Sequence, residues 1–330
     1  MEKKKFLVMS DVDVVEEALW EYDAPLLRHL LEDKTTKKSI LWATKDYESR
    51  GEDYGEFCEI KPELITGENT LLIQPRSTKP KEEQIARTRD KAEVFTPSWV
   101  CNCQNNLIDV EWFKNTDAFN TEINEGWITK EEPIDFSATE KSWMQYVDAQ
   151  RLEITCGEAP YLVSRYDTVT GTPIPVRERI GLLDRKMRVV DENTKTYKDW
   201  TKWSIRAFQS VYGFDFQGDN VLLARENLLL SYIDYYRERN HENPQIVLLR
   251  AVTNIIAWNI WQMDGLKYVV PNSCHEISGG YDLSGEPINM EPCPGCQNEM
   301  PFSHNGIYCV VKDWRSKSTV RFVDMMRRWG

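Results

Sequence analysis

Between Arg151 and Asp264 the chain alternates short apolar runs with longer stretches of helical spacing, and this alternation restricts the fold more than any other feature. Arg151-Leu-Glu-Ile-Thr155, Val211-Tyr-Gly-Phe-Asp-Phe216 and Asn259-Ile-Trp-Gln-Met-Asp264 read as strands. Tyr197 to Ser210, Asn220 to Arg239 and Gln245 to Ala257 read as helices, the second opened by Gly218-Asp219. Such alternation predicts an α/β fold, a parallel sheet with helices on both faces. Ligands on these sheets sit at the carboxyl ends of the strands, and each of the three strands ends in an acidic or Gly-bearing turn. Upstream, Asp11 to Leu31, Pro97 to Trp112 and Ser142 to Gln150 have helical spacing. Ser39-Ile-Leu-Trp-Ala43 and Thr70-Leu-Leu-Ile-Gln74 read as short strands. Trp99, Val100, Cys103, Leu107 and Ile108 are the expected buried face of the Pro97 helix.

At 330 residues the chain can hold two modest domains or one large one. We expect residues 1–86 to form an accessory α/β segment and residues 87–330 the main domain, with a Cys-rich insertion at 271–309. With 41% hydrophobic residues the chain can bury a core, yet no apolar run approaches the ~18 residues that span a bilayer. Phe6-Leu-Val-Met9 is too short for the apolar region of a signal peptide, so the expected location is cytoplasmic, with no membrane partner. A net charge of −12 argues against a protein that grips DNA alone, although a local groove can still be positive.

S-adenosylmethionine (SAM) offers a zwitterionic amino-acid end, two ribose hydroxyls and an adenine amino group. A parallel sheet answers with a tight turn after the first strand, a carboxylate after the second for the ribose and another after the third for the amino group. Ionised carboxylates only accept hydrogen bonds, which suits both tasks. Glu153-Ile-Thr-Cys-Gly-Glu-Ala-Pro-Tyr-Leu162, Asp215 followed by Leu222-Leu-Ala-Arg-Glu-Asn-Leu228, and Ile260-Trp-Gln-Met-Asp264-Gly-Leu266 supply these parts in order. They resemble the SAM-binding motifs of N6-adenine DNA methyltransferases of restriction-modification systems. Glu153 stands at the loop Asp of that family, Cys156-Gly157 match its turn, and Ala159 stands where the family prefers a second Gly. Ala suits that place unless φ is positive there. Phe95-Thr-Pro97 resembles the family's aromatic-Thr-Pro segment, which packs over the cofactor. The resemblance covers roughly residues 87–266. It implies a Rossmann-like class I SAM-dependent methyltransferase sheet, with SAM held by Phe95, Thr96, Pro97, Glu153, Cys156, Gly157, Asp215 and Asp264.

The same family transfers the methyl group with a [Asp/Asn/Ser]-Pro-Pro-aromatic loop after strand four, which holds a flipped adenine. No Pro-Pro dipeptide occurs in this chain. Tyr308-Cys-Val-Val-Lys-Asp-Trp314 reads as a buried strand, and as strand four it would bring Asp313-Trp314 to the place of that loop. Two functions are therefore expected. One is a SAM-dependent DNA adenine-N6 methyltransferase, with DNA as partner. The other is a catalytically silent SAM-binding protein that partners a restriction or phage-defence subunit. A SAM-fold enzyme with a different acceptor is a third reading.

Four of the eight cysteines lie between 274 and 309. Cys293-Pro-Gly-Cys296 is a knuckle that offers two soft ligands, and zinc wants four in a tetrahedron. Cys274, Cys293, Cys296 and Cys309 are the expected ligands of a structural zinc, with His275 or His304 able to replace a cysteine; reduced, unligated thiols are the alternative. Glu32-Asp-Lys34 fits part of a nuclease site but lacks an upstream acid on a strand, and reads as a solvated helix end.

Overall fold

A computed structural model describes residues 16–78 and 96–329. The segments in chain order are α1 (Glu16–Leu31), α2 (Pro62–Ile65), α3 (Ser98–Phe113), the hairpin β1 (Asn120–Ile123) and β2 (Gly126–Thr129), α4 (Trp143–Asp148), and β3 (Arg151–Ile154). Then come α5 (Leu182–Asn193), α6 (Tyr197–Gln209), β4 (Val211–Asp215), α7 (Gly218–Asn240), α8 (Ile246–Asn259) and β5 (Ile260–Gln262). The last third holds the hairpin β6 (Ile277–Tyr281) and β7 (Pro287–Glu291), α9 (Pro294–Gln297), the hairpin β8 (Val310–Asp313) and β9 (Ser318–Arg321), and α10 (Phe322–Trp329).

The three strands expected from the alternation pair in parallel in the order β3-β4-β5. Alternate residues of β4 look to opposite faces. Val211 joins Ile260 in a core with α5 to α8, while Tyr212 and Phe214 join Trp261 and Met263 in a second core. Val270, Cys309, Val311 and Phe322 close that second face, so the long helices line one side and the C-terminal hairpin with α10 covers the other. Helix α7 is buried almost throughout because apolar residues run around its whole circumference. On the outer strand β3, Leu152 and Ile154 remain 40% and 66% exposed, and no further strand pairs there among the described residues.

Residues 16–78 share the core of the main sheet. Leu19, Leu26, Leu27, Leu30 and Leu31 of α1 pack in one cluster with α7 and α8. The fully buried Arg225 of α7 donates to the carbonyls of Leu30 and Glu32 on one side and Ala257 and Ile260 on the other. Gln262 of β5 binds both the N–H and the C=O of Leu41 at 2.8 Å. That side chain takes the place of a neighbouring strand, so the segment around Ser39 to Ala43 makes only single bridges, Glu32 to Ser39 and Leu41 to Glu59. Thr70 to Gln74 is no strand either: it bends at Leu71, where φ is +68°.

Helix α3 forms where the spacing predicts it, but its polar side faces inward. Asn102, Asn105, Asn106 and Asp109 are buried, and Leu107 is 65% exposed. Arg185 of α5 causes the inversion. Its guanidinium reaches Asp109 at 2.6 Å, Asn102 at 2.9 Å and Asn106 at 2.7 Å. The hydroxyl of Tyr146 donates to the same Asp109 at 2.9 Å. Among the described residues no helix is long and apolar enough to cross a membrane.

Candidate functional site

The turn after β3 winds tightly because Thr155, Gly157 and Ala159 all adopt left-handed conformations, with φ of +48°, +53° and +62°. Gly makes that conformation at no cost, whereas Ala is strained there by about 1 kcal/mol. Ala159 thus occupies a conformation that favours the Gly of the resembling family. The carboxylate of Glu153 accepts from the N–H groups of Tyr161 at 3.3 Å and Leu162 at 3.1 Å, which closes the loop on its own strand. Burial pushes the Glu153 carboxyl up to about 8, against those two donors and with help from the charge of Asp215.

Asp215 ends β4 and receives the N–H of Gly157 at 2.9 Å, that of Gln217 at 3.0 Å, and the amide of Asn220 at 3.3 Å. Burial holds its carboxyl above the usual value despite these donors. The loop after the first strand and the acid after the second are therefore one hydrogen-bonded unit. Cys156 is buried beneath the turn, with its N–H on the carbonyl of Phe214. Thr96 and Pro97 lead into α3, with Pro97 at its N-cap and the Thr96 carbonyl accepting from Thr168, while Asn105 of that helix, not Thr96 or Pro97, donates to the loop at the carbonyl of Tyr161, 3.1 Å away. Phe95 lies outside the described residues.

Asp264 follows β5 at the same sheet edge, and the neighbouring Met263 N–H bonds the carbonyl of Asp215 at 2.9 Å. Its carboxylate is committed to its own turn, accepting from the N–H groups of Leu266 and Lys267 and pairing with the Lys267 ammonium at 3.3 Å. The structure thus bonds Gly157 directly to Asp215, anchors Cys156 to the Phe214 carbonyl and Glu153 to the far end of the same loop, and sets Asp264 one strand away. Arg76, Glu158 and Asn220 also belong here: Glu158 fills an unassigned place in the loop motif, and Arg76 and Asn220 stand in none of the motifs. Glu158 accepts from the backbone N–H of Arg76 at 2.7 Å and from the Tyr166 hydroxyl at 2.5 Å. The guanidinium of Arg76 bonds Asn220 at 3.2 Å. Asn220 is readable in principle from its place in the first turn of the helix after the acid; Arg76, about 80 residues before the loop, carries no local signal.

The expected fourth strand is corrected. Val310–Asp313 pairs antiparallel with Ser318–Arg321 and does not extend the parallel sheet. Trp314 donates its indole N–H to Asn259, just before β5, and Arg315 reaches Asp148, just before β3. Asp313 and Trp314 therefore sit at the amino ends of the strands, across the sheet from the Gly157 turn. The Asp313 carboxylate binds Arg315 N–H and the Ser316 hydroxyl.

The cysteine cluster is a second candidate centre. Cys274, Cys293, Cys296 and His304 bring their ligand atoms within 4.8 Å of one another. Nδ1 of His304 stands 3.5, 3.6 and 3.6 Å from the three sulfurs. Tetrahedral zinc, with bonds of about 2.3 Å to sulfur and about 2.0 Å to nitrogen, sets that separation at about 3.5 Å. The donor set and its spacing fit such an ion. Gly295 is needed in the knuckle, since a Cβ there would come within 2.6 Å of the His304 ring. Burial raises the Cys293 thiol, but the N–H donors of Asn305 and Cys296, together with His304, overcome it and bring it down to about 6. Cys309 is corrected as a ligand. Its N–H and C=O are held by Tyr268 and Phe322, and its fully buried sulfur points into the second core, 3.4 Å from the Gln262 carbonyl. His304 takes the fourth corner.

The chain carries a Cys3His cluster able to hold a metal ion such as zinc and a three-stranded parallel sheet with an acid-anchored turn at its carboxyl end. Comparison with protein-family models, curated proteins and solved structures finds no match for it.

Proposed function

We propose that this chain binds SAM at the carboxyl ends of β3, β4 and β5 and serves as the SAM-binding member of a restriction-modification or phage-defence assembly. The observation that carries this reading is the bond from the Gly157 N–H to the Asp215 carboxylate. It fuses a left-handed Cys-Gly turn to a buried acid on the adjacent parallel strand, the two parts that the amino-acid end and ribose of a nucleoside ligand need side by side. The remaining oxygen capacity of Asp215 receives ribose hydroxyls, and Asp264 marks the direction of the adenine. The Cys3His cluster holds a structural zinc, since its four protein ligands leave no open position for chemistry.

The silent-partner reading is preferred to a complete DNA adenine methyltransferase because of where Asp313 and Trp314 lie. Transfer to the N6 of a flipped adenine needs a polar group and a stacking ring beside the cofactor, and this pair is at the opposite sheet edge. The net charge of −12 also favours a partner that supplies the DNA contact. Calorimetry tests the pocket: wild-type protein binds SAM, and Asp215→Asn weakens it at least tenfold. Absence of binding to the wild type removes the reading. Labelled-methyl transfer to mixed genomic DNA separates the two functions, with no incorporation expected from this chain alone.

A further inference from the structure

Arg76 lies far from every motif in the chain, yet its guanidinium is stationed on the Gly157 turn. Were Gly157 given a Cβ, Nη2 of Arg76 would be 3.7 Å from it and the guanidinium carbon 3.9 Å. The same guanidinium bonds Asn220 in the first turn of α7, whose amide in turn binds Asp215. Its side chain is about nine-tenths buried, 10% exposed. Its backbone is fixed as well, because the N–H of Arg76 donates to the Glu158 carboxylate at 2.7 Å. Glu158 is itself held by the Tyr166 hydroxyl, and its carbonyl by the amide of Asn227. Nε of Arg76 stands 4.0 Å from the Glu158 carboxylate, so a guanidinium–carboxylate pair is clamped beside a loop residue that has no side chain.

We infer that Arg76 is the residue that recognises the carboxylate at the amino-acid end of the ligand, so that residues 16–78 complete the site; this rests on the SAM reading and deepens it. The chemistry of the two sides matches. The Gly157 turn is flanked by the ion pair of the Arg76 guanidinium and the Glu158 carboxylate, Nε to Oε1 4.0 Å. A zwitterionic α-amino acid end presents the complement of that pair: a carboxylate for the planar guanidinium fork and an ammonium for Glu158. A bare nucleoside has neither charge and gains nothing from Arg76.

The test compares two probes by calorimetry: SAM, and 5′-methylthioadenosine, which keeps the nucleoside and lacks the amino-acid end. Wild-type protein binds both, SAM the more tightly. Arg76→Gln weakens SAM at least tenfold, the effect of losing about one charge-assisted hydrogen bond, and leaves 5′-methylthioadenosine within a factor of about three. Arg76→Lys restores part of the SAM affinity, since it keeps the charge and loses the fork. An Arg76→Gln protein that loses both ligands in equal proportion overturns the inference, because Arg76 would then only brace the loop. Unchanged affinity for both ligands overturns it as well. Wild-type protein that binds neither probe removes the SAM reading itself, a result distinct from either. Should Arg76→Gln fail to fold, Arg76→Lys carries the test alone: a selective loss of SAM supports the inference and an equal loss of both ligands ends it.

Discussion

Replacing His304 by alanine and, separately, Cys309 by alanine sets the two candidate fourth ligands against each other. Structural zinc sites in small domains bind with about 10–16 kcal/mol, or about 3 kcal/mol for each of four ligands, which corresponds to about a hundredfold in affinity. His304 stands within 3.6 Å of all three sulfurs, so His304→Ala removes one full bond. The affinity for zinc, read by competition with a chromophoric chelator, falls about a hundredfold. Cys309 instead packs with Val311 and Phe322 against the sheet, so Cys309→Ala leaves the metal affinity unchanged. It costs about 1–2 kcal/mol of stability through a lost contact and a small void. Elemental analysis of wild-type protein gives one equivalent of zinc. A Cys309→Ala protein that loses its metal while His304→Ala keeps it refutes the placement of the fourth corner, and metal-free wild type refutes the site.

Three further outcomes follow from buried groups. Arg185→Met strands the Asp109 carboxylate, both side chains being 1–2% exposed, and lowers stability by about 3–5 kcal/mol in denaturant unfolding. Asp109→Asn in that background recovers part of the loss, and strict additivity of the two would show that they do not interact. Glu153 has a folded-state pKa raised to about 8, so its contribution to stability is complete below the ordinary carboxylate value and lost as pH rises through about 8. Glu153→Gln therefore flattens the fall in Tm across that interval, and parallel curves for the two proteins would contradict the assignment. Gly157→Ala meets no atom closer than 3.7 Å, so its cost is that of the left-handed backbone, about 1–2 kcal/mol; a neutral result would mean the turn is not left-handed.

The parallel sheet was legible because β3, β4 and β5 are apolar runs separated by crossovers long enough to return each strand parallel. The loop was legible because Glu153, Cys156, Gly157 and Asp215 sit at fixed local positions after their strands. What escaped depended on partners distant in the chain. Helix α3 shows a stripe of apolar residues, but Arg185, more than 70 residues on, rewards its asparagines more. Leu41 sits in a run that reads as a strand, and the side chain of Gln262 satisfies its backbone instead. By spacing Cys309 reads as the fourth ligand, with His275 or His304 able to replace a cysteine; its backbone bonds to Tyr268 and Phe322, both distant in the chain, turn its sulfur into the second core instead. Arg76 reaches the Gly157 turn through a contact that no local pattern encodes.

The hairpin β6–β7 begins three residues after Cys274 and ends two residues before Cys293, so both of its roots are fastened at the sulfur cluster. Tyr281 and Leu283 near its tip stand in the open, and neither of the two cores draws a residue from the hairpin. Closing a longer or shorter span between two pinned points changes the entropy only slightly. This overhang can therefore be extended, trimmed or respelled while everything beneath it stays put, which makes it the natural place to graft a label or a foreign sequence onto the protein.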